Sequence, residues 1–118
     1  MSDYTIWHNP KCSTSRFVLQ ALRDSGADVT VRDYQAQPPT ADELRAALDR
    51  LGIAPRELLR RKNTPYDDLG LADPSLSDDA LIAAMADHPA LIERPVVFGP
   101  QGARLCRPKE TVFDLLGG

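Results

Sequence analysis

One stretch of this chain places a nucleophile where it would be activated: His8-Asn9-Pro10-Lys11-Cys12-Ser13-Thr14-Ser15-Arg16. An apolar run, Tyr4 to His8, precedes it, and a helical pattern follows. A cysteine at the start of a helix meets unpaired backbone N–H groups and the positive end of the helix dipole, and both favour thiolate. An ordinary thiol titrates near pH ~8.5, and a helix N-terminus can bring that down to between ~3.5 and ~7.5. Ser13, Thr14 and Ser15 add hydroxyls near the sulfur, and the first-turn N–H groups can also hold an oxyanion. Cys12 could instead be a small core residue, but a polar, proline-containing loop is a poor place for core filler. His8 either lowers the pKa of Cys12 as a cation or simply finishes the strand. Asn9-Pro10 is a turn signal.

No second thiol stands three residues on, because position 15 is serine. A dithiol oxidoreductase working alone needs a resolving cysteine. Cys106, the only other cysteine, is far away in sequence and reads as structural filler, so an external thiol would have to resolve Cys12. Most arginines read as solvated helix surface, Arg45 and Arg50 among them. Arg60, Arg94 and Arg107 sit in less ordinary places: after a short apolar helix, before Pro95, and before Pro108. Guanidinium forks suit tetrahedral oxyanions because they donate bidentately. Spacing alone does not make these three converge, and Arg61 and Lys62 compete with Arg60 for such a role. His88, ahead of Pro89, reads as a helix-dipole partner.

The elements that must position these residues follow from hydrophobic periodicity. Tyr4–His8 reads as a strand, Phe17–Asp24 as a helix closed at Gly26, and residues 29–34 as a second strand. A strand, a helix and a strand in about 30 residues make a right-handed βαβ unit with parallel pairing. Thr40-Ala41-Asp42-Glu43 is a capping box opening a helix that Gly52 stops. Pro55 starts a short helix carrying Leu58, Leu59 and Arg60. Ser77 caps another, which His88-Pro89 ends. Pro95–Phe98 and Ala103–Cys106 form a hairpin around Gly99–Gly102, and Pro108 opens a last helix closed by Gly117. The expected order is β-α-β, a helical insert at about 40–90, then β-β-α: an α/β fold in a single domain covering 1–118.

The 118 residues are 42% hydrophobic and 26% charged, with a net charge of −3, which fits one globular domain and gives no general reason to bind nucleic acid or an anionic membrane. No apolar run approaches the ~20 residues of a membrane helix, and no secretory signal is visible. Two widely separated cysteines make neither a disulfide framework nor a metal site, so a cytoplasmic, reducing location is expected.

In "YTIWHNPKCSTSR", "PPTADELRAAL", "LLRRKNTPYDDLGL", "HPALIERPVV" and "GARLCRPKE" the chain resembles the glutaredoxin-coupled arsenate reductases, from Tyr4 to about Leu116. The resemblance implies a thioredoxin-like fold with a small mixed four-stranded sheet flanked by helices. It implies that Cys12 is the nucleophile and that Arg60, Arg94 and Arg107 hold arsenate and its covalent adduct. His8 corresponds to a family histidine linked to cysteine ionisation, and Pro95 to the cis-proline of thioredoxin-like folds. Asn9 and Ser15 are expected to support the loop. Glutathione is then a cosubstrate and glutaredoxin a partner, with no metal and no tightly bound cofactor, and the chain is expected to act as a monomer. Two other readings stand beside this one. The first is a glutathione-dependent monothiol oxidoreductase acting on mixed disulfides, which needs Cys12 but not all three arginines. The second is a redox-responsive regulator on the same scaffold, against which Ser15 argues because such regulators use a C-x-x-C switch.

Overall fold

The computed structural model describes residues 3–116. The chain divides into two compact units. One takes the chain up to Gln37 and again from Arg94, and the other is Pro38–Glu93.

The first unit is built on a four-stranded mixed sheet. β1 (Tyr4–His8) leads into helix α1 (Ser13–Asp24) and on to β2 (Val29–Asp33), and β3 (Val96–Gly99) and β4 (Gly102–Leu105) come after the second unit. The strand order is β2-β1-β3-β4. β1 and β2 run parallel with Ile6 opposite Val31, and β1 meets β3 antiparallel with Ile6 opposite Val97. The crossover through α1 therefore completes the expected βαβ unit.

Burial on α1 falls at Ser15, Val18, Leu19 and Leu22, one face at helical spacing. That face joins Ile6, Val97, Cys106, Val112 and Leu115 in one core. Burying each large aliphatic side chain contributes about 1.5–3 kcal/mol, which outweighs the weak helix propensity of Ser13-Thr14-Ser15. The helix thus begins at Ser13, a turn earlier than periodicity predicts, and Cys12 is its N-cap residue with extended backbone. It closes at Ser25, and Gly26 takes the left-handed conformation (φ +82°) one residue beyond.

The hairpin forms as expected, although its second strand stops at Leu105. Gly99 is required there, since a Cβ would lie 2.5 Å from the Tyr4 ring. The Tyr4 hydroxyl in turn donates to the Leu115 carbonyl at 3.2 Å. After Pro108 comes a 3-10 turn, Lys109–Thr111, before the last helix begins. This helix is numbered α5 in chain order and spans Val112–Leu116; the expected stop at Gly117 lies outside the described residues.

The second unit carries α2 (Ala41–Leu51), α3 (Pro55–Leu58) and α4 (Asp78–Asp87). Both bonds of the Thr40–Glu43 capping box are made, at 3.0 and 3.1 Å. Ser77 caps α4 by accepting from Ala80 N–H at 3.1 Å. α3 is shorter than expected. Leu59 turns extended and bridges Ile92, while Leu58 C=O accepts from Glu93 N–H and Arg60 N–H donates to Leu91 C=O. Pairing with the 91–93 segment satisfies these backbone groups outside a helix, so Arg60 lies on an extended stretch. Among the described residues no helix is long and apolar enough to cross a membrane.

Candidate active site

The loop between β1 and α1 is folded by its own polar groups. Asn9 C=O accepts from Cys12 N–H at 3.0 Å, and Asn9 Oδ1 accepts from Lys11 N–H at 3.0 Å. The Arg16 guanidinium reaches back to Pro10 C=O at 2.9 Å. Arg16 N–H donates to Cys12 C=O at 3.0 Å, the first helical bond, which fixes Cys12 at the helix mouth.

Behind the loop, Ser15 is fully buried. Its Oγ accepts from Asn9 N–H at 3.1 Å and lies 2.6 Å from His8 Nδ1. Burial pushes the His8 pKa down; Asp33 opposes this, and Arg23 and Arg16 reinforce it. The contact pairs the His8 ring nitrogen with the Ser15 hydroxyl, and this hydrogen bond offsets the cost of the burial that favours a neutral imidazole. Burial thus disfavours the cationic form of His8.

Burial opposes ionisation of Cys12, but Ser15 N–H, the Arg94 guanidinium by hydrogen bond and by charge, and Thr14 N–H together outweigh it, so the thiol titrates below its ordinary value. Cys12 makes no side-chain capping hydrogen bond; the helix-mouth N–H groups favour the charged form. Cys106 is the opposite case. Burial pushes its pKa up to about 12, with Arg104 opposing and Asp114 reinforcing the rise, which leaves an inert core thiol.

Arg107 Nη1 donates to Arg94 C=O at 3.1 Å, and Cys106 N–H donates to Pro95 C=O at 2.9 Å, tying together the two residues that flank the hairpin. The Arg94–Pro95 bond is cis, and so is Arg107–Pro108, for which no sequence signal stands out. The first unit thus holds Cys12, His8, Asn9, Ser15, Arg94, Pro95 and Arg107. Arg60 belongs to the second unit, where Nη1 meets Glu93 Oε1 at 2.8 Å and Nε meets Lys62 C=O at 3.2 Å. Of the adjacent pair, Arg60 has a side chain only 14% exposed, against 71% for Arg61, which pairs with Asp67 at 3.4 Å. No local pattern links Glu93 to Arg60, since the two lie far apart in the chain. Among the described residues no group of three or more His, Cys, Asp or Glu side chains could hold a metal ion.

A cysteine held at a helix mouth beside a guanidinium, ahead of a cis-proline hairpin, is an arrangement that can be compared across known proteins. Residues 7–115 match the ArsC family. An arsenate reductase from Yersinia enterocolitica is 51% identical over 116 residues, covering 98% of this chain and 82% of its own. One from Escherichia coli K12 is 49% identical over the same span and coverage. The solved arsenate reductase from Vibrio cholerae superimposes with a TM-score of 0.91 at 44% identity, covering 96% of this chain and 97% of its own. The fold, the family match and these relatives agree over nearly the whole sequence: the chain belongs to the ArsC family.

Proposed function

We infer that this ArsC-family chain reduces arsenate to arsenite, and we propose that it does so through one thiol, Cys12. What supports the reading is Cys12 as the N-cap residue of α1 with the Arg94 guanidinium hydrogen-bonding to its sulfur, an arrangement that favours a thiolate and offers a cation for an oxyanion. The Cys12 thiolate attacks arsenic(V), an arsenic–oxygen bond breaks, and the oxygen leaves as water once protonated. Arg94 and Arg107 counter the charge of the adduct. Arg60, carried by the other unit, is proposed as a third ligand on the resemblance of its Leu58-Leu59-Arg60 stretch.

Glutathione brings the second thiol. As its sulfur bonds to the Cys12 sulfur, the arsenic–sulfur bond breaks and arsenic takes the electron pair, leaving as arsenite. Glutaredoxin returns Cys12 to the thiolate by thiol–disulfide exchange. In this scheme His8 positions Ser15, and Ser15 with Asn9 holds the loop. No metal is required, glutathione is the only small cosubstrate, and a monomer suffices. The dependence on free thiols fits the cytoplasm.

The scheme is tested by intact-mass analysis after incubation with arsenate and reduced glutathione, without glutaredoxin. The expected product carries a single glutathione on Cys12 and none on Cys106, and forms only when arsenate is present. Absence of that arsenate-dependent product, with Cys12 still readily alkylated, would leave a glutathione-dependent thiol oxidoreductase of another substrate.

A further inference from the structure

A cavity of about 300 Å³ in the first unit is lined by Thr14, Arg107, Pro108, Lys109 and Glu110. It lies at the low end of small-molecule sites, large enough for one end of a tripeptide. Its position follows from contacts already described: Thr14 lies two residues after Cys12 and turns its N–H toward the sulfur, and Arg107 donates to the carbonyl of Arg94. The oxyanion chemistry of Cys12 uses neither Lys109 nor Glu110. Lys109 is not loose, because its ammonium lies over the Phe17 ring, 4.6 Å from the centroid. The lining therefore includes two basic residues and one acidic residue.

We infer that this cavity seats the γ-glutamyl end of glutathione, with Lys109 and Arg107 facing its α-carboxylate and Glu110 its α-ammonium. A free amino-acid end carries both charges on one carbon and so requires both signs at short range. Arsenate, with oxyanion charge alone, gains nothing from Glu110. The inference rests on the reading that Cys12 passes through a glutathione mixed disulfide. It adds the residues that would make the second thiol glutathione and not any small thiol.

The test is the rate at which Cys12 forms a mixed disulfide with oxidised glutathione, compared with neutral 2-hydroxyethyl disulfide. In each case the Cys12 thiolate bonds to one sulfur and the other sulfur departs as thiolate, so arsenate is not needed. Lys109→Gln is expected to lower the ratio of the two rates about fivefold, the scale of one exposed charge pair. Lys109→Arg should restore it, and Lys109→Glu should lower it further. A wild-type protein with no preference for oxidised glutathione, or a Lys109→Gln variant that slows both disulfides alike or neither, overturns the inference while leaving Cys12 chemistry intact. A wild-type protein in which Cys12 forms no glutathione mixed disulfide overturns the inference together with the monothiol reading.

Discussion

His8 Nδ1 and Ser15 Oγ are 2.6 Å apart inside the protein, joining the last residue of β1 to the first turn of α1. Asn9 N–H shares the same hydroxyl at 3.1 Å. One buried hydroxyl therefore fixes both ends of the loop that carries Cys12. Ser15→Ala strands these two partners and is expected to cost about 1–3 kcal/mol in urea unfolding. Ser15 N–H remains, so Cys12 should keep its lowered pKa. An unchanged unfolding midpoint would show that the hydroxyl is not the tie described.

The same pair sets a pH dependence. Burial depresses the folded pKa of His8 below its ordinary value of 6.5, so between the two values the unfolded chain binds more protons than the folded one. This contribution is intact above about pH 6.5 and is lost as pH falls toward the folded pKa. Stability of the wild type should drop on mild acidification, and His8→Asn, though less stable at neutral pH, should lose that part of the slope. Parallel slopes for the two proteins across this window would contradict the burial of a neutral His8.

Arg94 should govern the reactivity of Cys12. Arg94→Ala removes a hydrogen bond and a charge that favour thiolate, so the Cys12 pKa should rise and iodoacetamide alkylation at neutral pH should slow. Lysine at position 94 should restore part of the rate by charge alone. The pH profile of alkylation reads this directly, and superimposable profiles for wild type and Arg94→Ala would sink the assignment.

Cys106 should matter for packing and not for chemistry. Cys106→Ala is expected to leave the formation of the Cys12 mixed disulfide intact while lowering stability by roughly 1 kcal/mol, the scale of a small buried deletion. A variant that unfolds normally yet traps oxidised products on Cys12 would give Cys106 the resolving role denied to it here.

Gly99 and Tyr4 form a steric pair. A Cβ at position 99 would overlap the Tyr4 ring, so Gly99→Ala should destabilise by about 1–3 kcal/mol. Tyr4→Leu in the same chain should recover part of that cost, and a double-mutant cycle measures the coupling. Additive losses would mean that the ring is not the obstacle.

These sites differ in how far the sequence alone discloses them. The βαβ unit, the Thr40–Glu43 box, the Ser77 cap and the hairpin are all legible, because each is written in local spacing or in a few adjacent residue types. The first turn of α1 is not, since Ser13-Thr14-Ser15 has weak helix propensity and is drawn into the helix by the buried face that starts at Ser15. The extended Leu59 is hidden for a similar reason: its partner, Ile92, is remote in sequence. Cys12 could be singled out from chain chemistry alone. Its control by Arg94, the Glu93 partner of Arg60 and the Lys109–Phe17 contact involve residues separated by tens of positions with no period to link them. Ser15 shows the limit most clearly. Its type excludes a C-x-x-C motif, but its role as the buried tie to His8 depends on three-dimensional proximity.

The central claim is that Cys12 alone supplies the protein thiol for arsenate reduction. The most direct measurement is arsenate-dependent NADPH oxidation in the presence of glutathione, glutaredoxin and glutathione reductase, comparing wild type with Cys12→Ser. Turnover is expected in the wild type and none above background in the variant. A folded wild-type protein with a reactive Cys12 thiolate and no arsenate-dependent oxidation, or a Cys12→Ser variant that still turns over, would contradict it.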